Sequence, residues 1–97
     1  MKKYLVRIPP EVQFYLRHLP PPIKAKIRKA LEEIQTNPHF GKPLKEPLEG
    51  LRSYRVSQYR IIYQIQEKDI IIEVIKIAER KIVYQKISAL LKMILKE

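Results

Sequence analysis

Two arginines face each other across a predicted β-hairpin, and this pair is the first candidate for chemistry in the chain. Side chains alternate faces along the strand-like stretch from Ser53 to Ile77, so a turn at Ser57-Gln58 places Arg55 directly opposite Arg60. Like charges in that position destabilise a strand pair, so we expect the pair to hold an anion. Ser-Gln is not a favoured turn dipeptide, and a slip of one residue there would place the two arginines on different faces. A separate alternative is that both are ordinary solvated strand residues.

The other residue types limit the chemistry that is available. The sequence has no Gly-rich phosphate loop, no Ser/His/Asp arrangement and no cysteine, and its two histidines, His18 and His39, are isolated. We therefore expect neither a metal nor a cofactor. Arginine, lysine, tyrosine and glutamate suit RNA cleavage by the neighbouring 2′-hydroxyl, in which arginines stabilise charge on the phosphoryl oxygens. A base and an acid are also needed, and a tyrosine near cations can serve as either.

Charge indicates the class of partner. The 97 residues carry 20 lysines and arginines against 10 acidic residues, a net charge of +10. Such a charge points to a polyanion, which could be nucleic acid, an anionic membrane surface or an acidic protein. The positive residues are spread over predicted helices and strands, which favours a folded basic surface. No apolar run reaches the length of a membrane span and no signal peptide is recognisable, so we expect a cytoplasmic protein.

The elements that must position these residues form one α+β domain, residues 1–97. We expect a twisted antiparallel sheet of about four strands, an N-terminal helical hairpin and a C-terminal helix. In chain order the predicted elements are a strand from Tyr4 to Ile8, helices from Glu11 to Leu19 and from Ile23 to about Gln35, a loop from Thr36 to Gly50, the three-strand meander, and a helix that begins at Ala78 to Lys81 and runs to the terminus. That last helix either packs on the sheet or presents its apolar stripe to a partner.

A second turn at Glu67-Lys68 would pair Ile65 with Ile70 and Ile62 with Glu73, and this register sorts the meander into two faces. The expected core face carries Tyr54, Val56, Tyr59, Ile61, Tyr63, Ile65, Ile70, Ile72 and Val74. The opposite face carries Ser53, Arg55, Arg60, Gln64 and Glu73 among a few isoleucines.

The segment LKEPLEGLRSYRVSQYRIIYQI, followed by a strand and then by ERKIVY, resembles the RelE/ParE superfamily of bacterial and archaeal toxins. The resemblance covers the whole length and implies the order β-α-α-β-β-β-α. It also implies a toxin of a type II toxin–antitoxin pair, neutralised by a cognate antitoxin. RelE-like members cut mRNA on the ribosome, and we favour this branch. The alternatives are a ParE-like inhibitor of DNA gyrase and a non-catalytic member that binds antitoxin or RNA.

The resemblance also assigns site residues. Arg60, Arg80 and Tyr84 match positions that belong to the catalytic set in RelE-like enzymes. Arg55 matches a basic residue on the first meander strand, and with Arg52 and Lys81 we expect it to bind RNA or phosphate.

Two departures from the family pattern affect the chemistry. Ser57 stands where many members have a second basic residue, and Ala78-Glu79-Arg80 replaces the common Gly-His-Arg, so no histidine is available there. The acid or base is left open among Tyr84, Glu46, Glu49 and Glu73.

Overall fold

Five strands and two helices build the part of the chain that this computed structural model describes, residues 3–46 and 48–80. In order they are β1 (Leu5–Arg7), α1 (Pro10–Arg17), α2 (Pro21–Thr36), a 3₁₀ turn (Pro38–Phe40), β2 (Lys42–Pro43), β3 (Arg52–Val56), β4 (Tyr59–Gln66) and β5 (Ile71–Glu79). The predicted α+β class is confirmed. The predicted start of the C-terminal helix at Ala78 is wrong, because Ala78 and Glu79 pair with Arg60 and Tyr59 and so continue β5. The rest of that predicted helix, with Lys81 and Tyr84, lies outside the described residues.

Both helices begin at prolines. Pro10 and Pro21 occupy the first turn of α1 and α2, where the fixed φ is compatible with a helix and the missing N–H costs no hydrogen bond. The buried positions of α2, Ile27, Ala30 and Ile34, recur at helical spacing and pack onto the sheet. No helix among the described residues combines the length and apolarity that crossing a bilayer requires.

The first hairpin of the meander has the predicted register. Val56 pairs with Tyr59 and Arg55 pairs with Arg60, so the turn consists of Ser57 and Gln58. Ser57 has a φ of 57°, the positive value that a type II′ hairpin turn needs at its first central residue. The unfavoured dipeptide therefore adopts the turn that suits the twist of two adjacent strands.

The predicted second turn is wrong. Its loop has four residues, Glu67 to Ile70, so Ile65 pairs with Ile72 instead of Ile70. Ile70 takes a φ of 55° and belongs to the loop, because its N–H points back to the Glu67 carbonyl at 3.4 Å. A register shift at Ile62/Tyr63 then pairs Ile62 with Lys76 instead of Glu73.

The sheet has one strand more than the expected four, and it is mixed. Its strand order is β1-β5-β4-β3-β2, and β1 lies parallel to β5 with Leu5 opposite Ile71. All the other pairs are antiparallel. The parallel contact joins residues 66 positions apart (71 − 5), and β2 has only two residues, so neither pairing leaves a local pattern in the sequence.

The two faces of the sheet carry different sets of residues. On the helix side the buried core consists of Val12, Ile27, Ala30, Ile34, Val56, Ile61, Tyr63, Ile72, Val74 and Ile77. Tyr54, Tyr59 and Ile65 pack against it while partly exposed. The predicted core face is thus largely correct, with Ile70 displaced into the loop. A smaller cluster, Leu48, Ile62 and Ala78, is buried separately, and Ser53 is buried as well.

Tyr63 fastens the long connecting segment to the sheet. Its side chain is fully buried, its hydroxyl donates to the carbonyl of Pro38, and it accepts the N–H of Gly41 at 2.9 Å. A Cβ at Gly41 would lie 2.9 Å from Cε1 of Tyr63, so only glycine fits against the ring. Burial raises the pKa of Tyr63 above its usual 10.0, although the Gly41 N–H and Arg52 oppose that rise.

We predict that Tyr63→Phe lowers the free energy of unfolding by about 2–4 kcal/mol, because it leaves a buried N–H and a buried carbonyl without their partner. Chemical denaturation measures this. Tyr54→Phe is the control: its hydroxyl bonds Glu33 at 2.6 Å in a half-buried place that water can reach, so its loss costs less. Equal losses in the two variants would contradict the anchoring role.

The pH dependence follows from the raised pKa. Unfolded tyrosine ionises near pH 10 while folded Tyr63 stays protonated, so its contribution is complete below pH ~10 and is lost as pH rises above that value. Denaturation at increasing alkaline pH should therefore show a smaller decline for Tyr63→Phe than for the unaltered protein.

Candidate functional site

Arg55 and Arg60 lie on the same side of the sheet, at the tip of the β3–β4 hairpin. They are direct cross-strand partners, so the one-residue slip does not occur. Arg60 is half-buried, and its Nη1 donates to Oγ of the buried Ser53 at 3.1 Å. Ser53 is two residues from Arg55 on β3 and shares its face. Arg55 is exposed, and its Nε donates to the Ser57 carbonyl at 3.3 Å, back over the turn.

Arg80 reaches the same tip from the end of β5. Its backbone N–H donates to the Gln58 carbonyl at 2.8 Å, which places it beside the hairpin turn. A cavity of about 510 Å³ opens here, and the described residues that line it are Arg55, Ser57, Gln58, Glu79 and Arg80. We call it the arginine cavity. Arg60 borders the same region, since it pairs with Arg55 on one side and with Ala78 on the other.

Glu79 brings a carboxylate to this end of the sheet, which our sequence reasoning did not include among the acid or base candidates. It is exposed and is the cross-strand partner of Tyr59. Burial chiefly raises the pKa of Tyr15 on α1, and Tyr59 and Glu79 raise it further. Glu79 therefore acts on the helix side of the sheet, and at the hairpin tip it also lines the arginine cavity. In the sequence, the position of Glu79 directly before the candidate Arg80 is the feature that could have identified it.

The other carboxylate candidates are elsewhere. Glu73 accepts a hydrogen bond from Arg7 at 3.2 Å and forms a salt bridge with it. It lies six residues before Glu79 on β5, roughly 20 Å away at about 3.3 Å per residue. Glu46 and Glu49 are exposed in the connecting segment and do not line the arginine cavity. Tyr84 and Lys81 lie outside the described residues.

Arg52 is engaged in holding the connecting segment. Its Nη1 donates to the carbonyl of Gly41 at 2.7 Å and approaches that of His39 at 3.5 Å. It sits at the start of β3, the opposite end from Arg55, and does not line the arginine cavity.

The histidines bind no common centre. His18 Nδ1 is 2.8 Å from the Phe14 carbonyl, while His39 Nε2 is 3.6 Å from Glu67. Within residues 3–46 and 48–80, no three His, Cys, Asp or Glu side chains are grouped so that they could hold a metal ion.

Comparison with known proteins places this arrangement in context. Residues 3–84 match the family model described as the ParE toxin of type II toxin–antitoxin system, parDE. The chain is 39% identical over 72 residues to Toxin RelE of Mycobacterium tuberculosis, which covers 72% of this chain and 74% of that protein. It is 29% identical over 85 residues to Toxin RelG of the same organism, covering 86% and 98%.

Solved structures show the same fold. The toxin–antitoxin complex RelBE2 from Mycobacterium tuberculosis contains a chain that superposes with a TM-score of 0.73 at 30% identity, covering 80% of this chain and 99% of that one. The archaeal RelE–RelB complex from Pyrococcus horikoshii gives a TM-score of 0.67 at 24% identity, with 82% and 97% covered, a likeness of fold.

We predict that Arg55→Gln stabilises the fold while weakening anion binding. Removing one of two like charges that face each other should raise the free energy of unfolding by ~0.2–1 kcal/mol at low salt, and added salt should shrink the gain. Affinity for a polyphosphate should fall. The measurements are chemical denaturation at two salt concentrations and a binding titration.

Arg17→Gln is the matched control, because Arg17 is an exposed arginine in the last turn of α1, away from the arginine cavity. An equal gain in stability from this variant would attribute the effect to net charge and not to the pair.

Proposed function

This chain belongs to the ParE toxin family of type II toxin–antitoxin systems, and from that premise we propose that it is a RelE-like endoribonuclease that cleaves mRNA on the ribosome. The observation that carries the proposal is that Arg55, Arg60 and Arg80 lie at the same end of the sheet, where Arg55 and Arg80 line the arginine cavity and Arg60 is the cross-strand partner of Arg55. Three guanidinium groups can bind a phosphodiester and stabilise the extra negative charge that it gains when the 2′-hydroxyl attacks.

The arginines differ in how firmly they are held, and this suggests separate roles. Arg60 is half-buried and bonded to the buried Ser53, so its guanidinium is oriented before substrate arrives, as transition-state stabilisation requires. Arg55 is exposed at the turn and suits initial capture of a phosphate. Arg80, next to the Gln58 carbonyl, contributes a third positive charge.

Proton transfer is assigned to Tyr84 through the resemblance to RelE-like enzymes. Nearby cations favour the ionised form of a tyrosine, and its hydroxyl can then accept or donate a proton. Glu73 is held by Arg7 at the far end of β5, which removes the support for that carboxylate as the base. Lys81 and Arg52 remain proposed contacts to RNA, Arg52 from a position beside the connecting segment.

The proposed protein partner is a cognate antitoxin. The solved relatives include toxins in complex with their antitoxins. The net charge of +10 and the apolar residues Leu90, Leu91 and Ile94 near the C-terminus favour an acidic segment that is partly disordered when free. We expect it to order as it covers the basic sheet face or displaces the C-terminal helix. An antitoxin encoded with the toxin and a ribosome-bound message together imply a cytoplasmic site of action.

We predict that Arg60→Ala slows single-turnover cleavage of a ribosome-bound message by about 10²–10³-fold, by analogy with loss of an oxyanion donor. Arg17→Ala, the same change on the exterior of α1, should leave the rate unchanged. DNA supercoiling by gyrase is assayed in parallel. Inhibition of gyrase by a wild-type protein that leaves the message intact would transfer the function to the ParE-like alternative.

A second prediction separates catalysis from folding. Tyr84→Phe keeps the ring and deletes the ionisable hydroxyl, so the variant should fold, bind its antitoxin and lose most of its cleavage activity. Circular dichroism, antitoxin titration and the cleavage assay are the measurements. Unchanged cleavage by Tyr84→Phe would remove this tyrosine from the mechanism.

A further inference from the structure

Arg55 lines a second groove as well as the arginine cavity. This groove, about 190 Å³, lies between α2 and the end of β3, and Lys26, Lys29, Glu33 and Tyr54 also line it. We call it the α2–β3 groove. Because Arg55 belongs to both, the two concavities adjoin at the hairpin tip.

The groove follows from the shortness of β2. That strand pairs only with Arg52 and Ser53, so the remainder of β3 forms the edge of the sheet beside α2. Lys26, Lys29 and Glu33 are spaced by three and four residues and therefore share one flank of α2, next to its buried stripe. Lys26 and Lys29 are exposed, so their ammonium groups are accessible to a ligand.

Among the described residues, one carboxylate lines this groove, and it is already engaged. Tyr54 donates its hydroxyl to Glu33 Oε2 at 2.6 Å, and this hydrogen bond is the main reason that the pKa of Tyr54 is raised. Three cations therefore face one carboxylate that has a donor of its own. The balance favours an anionic ligand.

An aromatic surface continues the groove. The ring of Phe40 stacks on Tyr54, with centroids 6.5 Å apart and planes at 25°. Phe40 nevertheless keeps 52% of its surface exposed. A cationic groove beside an exposed aromatic ring is the combination that binds single-stranded nucleic acid, where phosphates contact the cations and an unpaired base stacks on the ring.

We infer that the α2–β3 groove extends the RNA site: a single strand leaving the arginine cavity passes Arg55, places phosphates against Lys26 and Lys29, and stacks a base on Phe40. The inference rests on the proposed RNA substrate. It adds the path that the strand takes over the surface and a set of contacts outside the cleavage site. Unpaired RNA is the occupant, because a base can reach the Phe40 ring only when it is not paired.

The test is binding of free single-stranded RNA, without ribosomes, by fluorescence anisotropy at several salt concentrations. In Lys26→Gln/Lys29→Gln, affinity for a long unpaired RNA should fall about 25-fold at ~0.1 M salt, and the salt slope should decrease by about 1.4, which is ~0.7 for each phosphate contact. A dinucleotide fills only the arginine cavity, so its affinity should change little in the same variant.

The chain offers a matched control on the same helix. Lys24→Gln/Arg28→Gln removes the same charge from α2 but from residues that line a different, largely apolar cavity with Leu16 and Leu31. Equal losses in the two double variants, or equal losses for the dinucleotide and the long RNA, would overturn the inference.

The aromatic contact has its own control. Phe40→Ala should weaken binding of the long RNA about 5- to 150-fold, the usual cost of one lost base stack, whereas Phe14→Ala should not. Phe14 is also exposed, at 62%, but it lies on α1 against His18. If both phenylalanine variants bind as the wild type does, no base stacks on Phe40.

The outcomes distinguish this inference from the proposed function. If the wild-type protein cleaves ribosome-bound message but the Lys26→Gln/Lys29→Gln variant binds long RNA normally, the groove is refuted and the proposed nuclease activity is supported. Normal RNA binding combined with lost antitoxin affinity in that variant would assign the groove to the acidic antitoxin and overturn the inference. Groove-dependent RNA binding by a protein that does not cleave would support the groove and refute the nuclease.

Discussion

Ser57 and Gln58 close the β3–β4 hairpin in two residues, and the position of every candidate residue on β3 and β4 depends on that closure. Side chains alternate along strands, so one extra or missing residue at the turn would move Arg60 to the helix side and Tyr63 to the other face. The positive φ of Ser57 matches the twist of the paired strands and holds the register. Arg55 then faces Arg60 with no freedom to separate along the strand.

The sheet tolerates this like-charge pair because the other face of the same strands is strongly apolar. Facing arginines cost ~0.2–1 kcal/mol, whereas burying one large apolar side chain contributes about 1.5–3 kcal/mol. Ile61, Tyr63 and Val56 are all buried on the helix side. A slip that relieved the repulsion would expose this set to water, so burial determines the register and the charges follow it. The site is therefore held together by residues that never touch a ligand.

Sequence reasoning located the hairpin, its facing arginines and most of the core, because alternation over a short local segment determines all three. It missed β2, since two residues have no period, and it placed Ile70 in a strand because β-branched residues favour strands. In the fold Ile70 adopts a positive φ that such residues rarely take, and tertiary context overrides the preference. Sequence reasoning did not identify the role of Glu79 or the α2–β3 groove. In both cases the lining residues come from segments that are distant in sequence and meet only after folding.

The parallel contact between β1 and β5 has a consequence for the order of folding. The β3–β4 hairpin pairs strands that are neighbours in sequence. Leu5, in contrast, pairs with Ile71, which is synthesised much later. Closing so long a loop carries a larger entropic cost than closing a hairpin, and such contacts form late. On a chain emerging from the ribosome, the β3–β4 hairpin can therefore form while the N-terminal strand is still unpaired. The arginine face is built from early, local contacts, and the parallel edge of the sheet completes the domain afterwards.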